Sequence, residues 1–200
     1  PKFLGHHWGF EMTKQQKKAK LELIAQEIVS RKCGLQIALD CQNPVPGNGN
    51  PQAQLMFVGE APGAKEDLLG QPFVGASGKF LDEMLESIGL SREEVFVTNI
   101  VKFRPPKNRD PNAHEIEVCL PYLLSQIEVV EPRLVVLLGR HSMNVFLPDQ
   151  KISEAHGKIF IKPKITFLPL YHPAAALYNG KLRSTLKADF AQIPKILEQL

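Results

Sequence analysis

The sequence predicts an α/β fold: a three-layer sandwich in which a central, mainly parallel, four-stranded sheet lies between helices. Three observations carry this. Apolar runs of strand length alternate with stretches whose apolar residues recur at helical spacing, the pattern of parallel strands joined by right-handed helical crossovers. One such run, Arg133 to Leu138, is unbroken after its first residue, as expected of a strand covered on both faces. The strands also end in polar or turn-forming residues, which gathers these at the carboxyl edge of the sheet, where α/β proteins bind ligands.

At 200 residues and 44% hydrophobic content the chain can bury one sizeable core, so residues 12–200 are expected to form a single domain. Pro1 to Glu11 show no periodicity and precede Met12; they read as a tail or an expression remnant. A net charge of +3 suits an anionic partner without identifying one. No apolar run approaches the roughly 18 residues of a membrane span, and the Lys-rich start lacks the apolar core of a secretory signal. A cytoplasmic monomer with no membrane partner is the expectation. Three cysteines, Cys33, Cys41 and Cys119, make a disulfide framework improbable and leave free thiols or metal ligands.

In chain order, Lys14 to about Val29 places Leu21, Ile24, Ala25 and Ile28 on one face of an amphipathic helix. Cys33 to Pro51 collects Asn-Pro, Pro-Gly and Asn-Gly pairs and reads as a long loop. Leu55 to Gly59 is an apolar strand that runs into the turn Gly59-Glu60-Ala61-Pro62-Gly63. After Ala64 to Leu69 and the loop Gly70 to Gly75, a helix over Gly75 to Gly89 aligns Phe80, Leu81, Met84, Leu85 and Ile88. Val95 to Asn99 is a second strand, followed by the loop Lys102 to Pro111 and a helix capped by Asn112. Arg133 to Leu138 is the third strand and Arg140 to Phe146 a short helix. Lys158 to Lys164 reads as an edge strand or hairpin arm, Ile165 to Leu170 as the fourth central strand. A last helix runs from about Leu182 to Leu200, kinked or restarted by Pro194.

Five motifs occur in order: Gly59 to Gly63, Gln71-Pro72-Phe73-Val74-Gly75, Thr98-Asn99 before Lys102, Arg104-Pro105-Pro106-Lys107-Asn108-Arg109-Asp110-Pro111, and His172-Pro173-Ala174. With them the chain resembles the uracil-DNA glycosylase superfamily, closest to family 4, from about Ser30 to Leu200. The resemblance implies the fold of that superfamily and a monofunctional glycosylase that flips uracil out of DNA and hydrolyses its N-glycosidic bond, the first step of base excision repair. Two rival readings are a non-catalytic DNA-binding relative and a glycosylase for hypoxanthine or xanthine.

Such chemistry needs a flat partner for the ring, amide groups for its edge, a donor for the leaving anion and a placed water. Phe73 is the candidate for stacking, with an ordinary core position as the alternative. Asn99 offers the donor and acceptor that the uracil edge requires, and His172 a hydrogen bond to the developing anion. Gly59 and Ala61 form the floor. In one branch of the superfamily an aspartate stands at the position of Ala61; its absence here is shared with family 4. Glu60 and Glu66 are the candidates for orienting water or favouring charge on the sugar, with Asn108 assisting. Arg104, Lys107 and Arg109, with Lys102 before them, read as a basic cluster for DNA phosphates, or else as a solvated loop. Leu177 and Tyr178 are candidates for the wedge that enters the base stack, where family 4 commonly has Leu-Leu-Arg across Ala176 to Tyr178.

The resemblance also implies four cysteine ligands to an iron–sulfur cluster. Here Ser30 stands in the first position and Phe103 in the third, so only Cys33 and Cys119 match, with Cys41 as a candidate third ligand. The reading favoured is a protein without a cluster, Phe103 filling its space. The alternative is a 4Fe-4S cluster held by Cys33, Cys41 and Cys119.

Overall fold

The computed structural model describes residues 12–200, so the tail expected over Pro1 to Glu11 lies outside the described residues. Strands β1 (Asn48–Gly49), β2 (Leu55–Gly59), β3 (Phe96–Asn99), β4 (Leu134–Leu138), β5 (Phe160–Lys162) and β6 (Ile165–Leu170) form one sheet in the order β1-β3-β2-β4-β6-β5. The middle four are mutually parallel and are the four expected. The count of four is corrected to six by two short antiparallel edges. The edge β5 matches the expected hairpin arm. The edge β1 carries no apolar alternation and pairs through backbone alone. Its Gly49, at φ 133°, lies so close to Val95 that a Cβ there would sit 2.1 Å from the Val95 carbonyl oxygen.

The helices are α1 (Lys14–Val29), α2 (Gln36–Asp40), α3 (Ala64–Leu69), α4 (Ala76–Ser87), α5 (Ala113–Val130), α6 (Arg140–Phe146), α7 (Ile152–Ala155), α8 (Pro173–Leu177), α9 (Gly180–Phe190) and α10 (Ile193–Gln199). The segment expected as an unbroken loop therefore holds α2 and β1, both too short to show a period. The expected last helix is two: α9 ends at Phe190, and α10 restarts with Pro194 in its first turn, where a missing N–H costs nothing. Asn112 caps α5 as expected, accepting from the Glu115 amide at 2.8 Å while the Glu115 carboxylate accepts from the Asn112 amide at 2.9 Å.

Alternation along each strand divides the core between the two faces of the sheet. Met56, Val58, Val135 and Leu137 face a cluster with Ile28, Ile37, Cys119 and Leu123, from α1, α2 and α5. Leu55, Phe57, Leu134 and Val136 face a second with Phe80, Met84, Leu186 and Phe190, from α4 and α9. There Phe57 and Phe190 stack with ring centroids 5.7 Å apart. The helix α1 is pinned by the buried Lys17, whose Nζ donates to the Val130 carbonyl at 3.1 Å and pairs with Glu131 at 2.7 Å. A cation there meets the negative end of α5.

Beyond their last residues β2 and β3 stay in register, because the Ile100 and Val101 amides donate to the carbonyls of Gly59 and Glu60, both at 3.0 Å. This places the turn after β2 directly beside the end of β3.

Candidate active site

A pocket of about 270 Å³ opens at the carboxyl edge of the sheet, and Glu60, Ala61, Glu66, Phe73, Asn99, Asn108, Arg109 and His172 are among the residues lining it. Its size is at the small end for ligand sites. Gly59 lies beneath it: a Cβ at this position would stand 2.4 Å from Asn99 Oδ1 and 2.6 Å from the Phe73 ring. A glycine is what allows those two side chains to meet. Asn99 is 2% exposed, and among the described residues its side-chain amide has no protein partner, so its donor and acceptor are left for a ligand.

Phe73 is both a core residue and a pocket wall: it is 6% exposed and packs in the second core cluster. Its backbone has φ 53°, a left-handed conformation that a bulky residue holds only when its surroundings impose it. Three contacts do so. Arg92 Nη2 donates to the Phe73 carbonyl at 3.0 Å. Gly78 has no side chain, and a Cβ there would overlap that carbonyl oxygen. Glu66 Oε1 accepts from the amides of Val74 and Gly75 at 2.9 and 2.8 Å. One oxygen of Glu66 is thus occupied in shaping the loop, a task its sequence position does not reveal. Arg92 is also absent from the sequence reading, since it lies in a short 3₁₀ turn with no motif.

His172 begins α8, and its Nδ1 accepts from the Ala174 amide at 3.1 Å. Burial draws the imidazole down to about 4, Glu66 opposing weakly, so the ring is neutral near pH 7 with Nδ1 unprotonated and Nε2 carrying the hydrogen. Its ring lies 5.9 Å from that of Phe73, inclined by 27°. Gly139, at φ 91°, ends β4 and makes room: a Cβ there would approach His172 Cβ to 3.1 Å.

Glu60 is half-buried, and the loss of water raises its carboxyl above the usual range, Asp110 adding to this while His141 and Arg140 pull against it. His141 Nε2, from α6, is 3.8 Å from Glu60 Oε2 and 3.1 Å from Asp110 Oδ2. Arg140 Nη2 meets the same Asp110 oxygen at 2.9 Å and holds its carboxyl below the usual range. Sequence reasoning missed His141. Its only signal was a histidine one residue into the helix after a strand-ending glycine.

The basic loop is tied together by bonds of its own. Arg109 is bound by both oxygens of Glu115, at 2.9 and 2.6 Å. Arg104 donates to Asn108 Oδ1 at 2.8 Å and stands 3.7 Å from Asp67. These two guanidiniums hold the loop together rather than stand free. Lys107 is exposed, at φ 55° beside Asn108 at φ 55°. Lys102 is no surface cation at all: it is fully buried, with Nζ 2.7 Å from Thr98 Oγ1, 2.7 Å from the Asn99 carbonyl and 2.8 Å from Gln126 Oε1. Leu177 is half-buried and packs against the second core cluster. Tyr178 is 94% exposed. Among the candidates, Arg104, Lys107, Leu177 and Tyr178 do not line the pocket.

Cys41 and Cys119 are buried and Cys33 is half-buried, all three as free thiols at the first core cluster. Burial raises the Cys119 thiol to about 11 and raises that of Cys41. Phe103 is fully buried in the same cluster, and Ser30 Oγ donates to the Glu27 carbonyl at 2.6 Å on the exposed end of α1.

The profile described as "Uracil DNA glycosylase superfamily" matches residues 46–196. The chain is 46% identical to the Type-4 uracil-DNA glycosylase of Sulfurisphaera tokodaii, over 88% of this chain and 84% of that protein. It is 47% identical to the Type-4 enzyme of Archaeoglobus fulgidus, over 88% and 92%. To that of Thermotoga maritima the identity is 35%, over 90% and 95%.

Proposed function

The chain belongs to the uracil-DNA glycosylase superfamily, and from that premise we propose that it is a monofunctional uracil-DNA glycosylase, hydrolysing the N-glycosidic bond of a flipped deoxyuridine. The observation that carries the reading is the meeting of Phe73, Asn99 and His172 in one small pocket. Phe73 stacks on the base. Asn99, unpaired and backed by Gly59, reads its amide edge. His172 donates from Nε2 to the uracil oxygen that gains charge as the bond to the sugar breaks, and its neutrality makes it a donor that needs no counterion. Glu60, less committed than Glu66, orients the water that attacks the sugar. The electron pair of the broken bond leaves with the base.

DNA is held by Lys107 and by the wedge of Leu177 and Tyr178, of which Tyr178 is the more exposed, while Arg104 and Arg109 shape the loop that carries Lys107. We take the protein to act as a cytoplasmic monomer on uracil-containing DNA; among the described residues no helix is long and apolar enough to cross a membrane. We also take it to work without an iron–sulfur cluster. Three thiols are one short of a four-thiolate set, and Phe103 fills core volume beside them. The donor set does not fit that group.

The test is release of free uracil from a deoxyuridine oligonucleotide. Asn99→Ala and His172→Ala are each expected to slow release by about 10²–10³-fold. A purified protein that binds uracil-containing DNA but frees no base at any salt concentration would end the enzyme reading.

A further inference from the structure

We propose that Lys102 is a positioning residue for Asn99: from inside the core its Nζ holds the Asn99 carbonyl, and so fixes the peptide unit beside which the base-reading amide projects into the pocket. The inference rests on the uracil-excising reading and deepens it. It gives work to a lysine that does not line the pocket and that the sequence groups with phosphate-binding cations.

The peptide unit joining Asn99 to Ile100 is held at both ends. On the β2 side the Ile100 amide donates to the Gly59 carbonyl at 3.0 Å. On the other side β1 pairs with Phe96 and Val97 and stops short of Asn99. There the Asn99 carbonyl accepts from Lys102 Nζ at 2.7 Å. The lysine is fully buried and is itself fixed by two more bonds, to Thr98 Oγ1 at 2.7 Å and to Gln126 Oε1 at 2.8 Å. Gln126 Nε2 in turn donates to the Pro46 carbonyl at 2.7 Å. The tie thus runs from Asn99 through Lys102 to α5 and to the loop before β1. With Gly59 against the side chain and Lys102 on the backbone, the direction of the Asn99 amide is set from two sides.

This hold does not depend on the charge of the lysine. Burial draws the ammonium down to about 7. A neutral amine keeps two N–H groups for the two oxygens that cannot donate, those of the Asn99 carbonyl and the Gln126 amide, while its lone pair accepts from the Thr98 hydroxyl.

A double-mutant cycle separates this role from plain support of the fold. Lys102→Met nearly keeps the volume and removes the donor. It is expected to lower kcat/KM for uracil release by at least about 10-fold, within the roughly 100-fold that a displacement near 1 Å produces. In an Asn99→Ala background the backbone carbonyl remains but there is no amide to aim, so the same change is expected to cost less than about 3-fold. The fall in melting temperature caused by Lys102→Met should be alike in both backgrounds, because the carbonyl is present in both. An equal loss of kcat/KM in the two backgrounds overturns the role. In proton–nitrogen-15 NMR spectra the Asn99 side-chain amide, assigned by its disappearance in Asn99→Ala, is expected to shift in Lys102→Met, and this reads the aim of the amide without turnover. If Lys102→Met fails to fold, Lys102→Gln, whose amide falls one bond short of the carbonyl, takes its place in the cycle; failure of both makes Lys102 a folding residue only and overturns the assignment. Uracil release by the unsubstituted protein is measured alongside: its absence ends the functional reading, whereas an unmoved Asn99 signal removes Lys102 from this role whether or not the protein turns over.

Discussion

At the scale of the residue, the site depends on one missing methyl group. Gly59 lets Asn99 Oδ1 and the Phe73 ring occupy the space where a Cβ would lie, so a methyl group there must displace both side chains from their positions, while their backbones stay held by Lys102 and Arg92. Gly59→Ala is therefore expected to lower uracil release by at least about 100-fold, since a misplacement near 1 Å has that scale of effect. The loss should far exceed any loss of melting temperature, and paired activity and melting measurements separate the two. Asn99, Phe73 and His172 were legible in the sequence because each stands in a short motif at a strand end or in a Gly/Pro loop. The bonds that aim them were not. Arg92 is distant from Phe73 in the chain, and a lysine in the sequence Lys-Phe-Arg reads as solvated until Thr98 and Gln126 are found around it.

At the scale of the element, Lys102 ties the end of β3 to α5, and Gln126 extends the tie to the Pro46 carbonyl at 2.7 Å. Burial pulls the ammonium down to about 7 from 10.5, while three acceptors matching its three N–H groups resist the change. Between those two values the unfolded chain holds a proton that the folded one releases, so folding stability rises with pH there and is level below about 7. The slope is at most about 1.4 kcal/mol per pH unit. Above about pH 9 the Cys119 thiol, raised to about 11, acts in reverse, because the unfolded thiol ionises first. Urea unfolding should show a gain in stability from pH 7 to pH 9 that is absent from Lys102→Met. The central strands were readable as apolar runs, and α1, α4 and α5 as periodic faces. The pieces that escaped, β1, α2, α7 and α8, span two to five residues. Their structure comes from neighbours, such as the pairing of Asn48 and Gly49 with β3, and not from their own pattern.

At the scale of the molecule, Phe103 and the thiols of Cys33, Cys41 and Cys119 belong to the same apolar core cluster, and the proposed absence of an iron–sulfur group there has a direct check. The purified protein should be colourless near roughly 400 nm, where thiolate-ligated clusters absorb, and free of iron. The paired changes Ser30→Cys and Phe103→Cys complete, with Cys33 and Cys119, the four-thiol set and are expected to give a protein that binds iron. A brown protein without these changes would overturn the reading. The sheet itself bears on a different matter, the behaviour of many copies together. Its outer strands are only two and three residues long, and the β5 side carries Lys158, Lys162 and Lys164 around the exposed Ile161. So short an edge gives another chain little to pair with, and the lysines repel a second copy. The flanking strands that complicate the expected four-stranded plan thus act as guards against edge-to-edge aggregation.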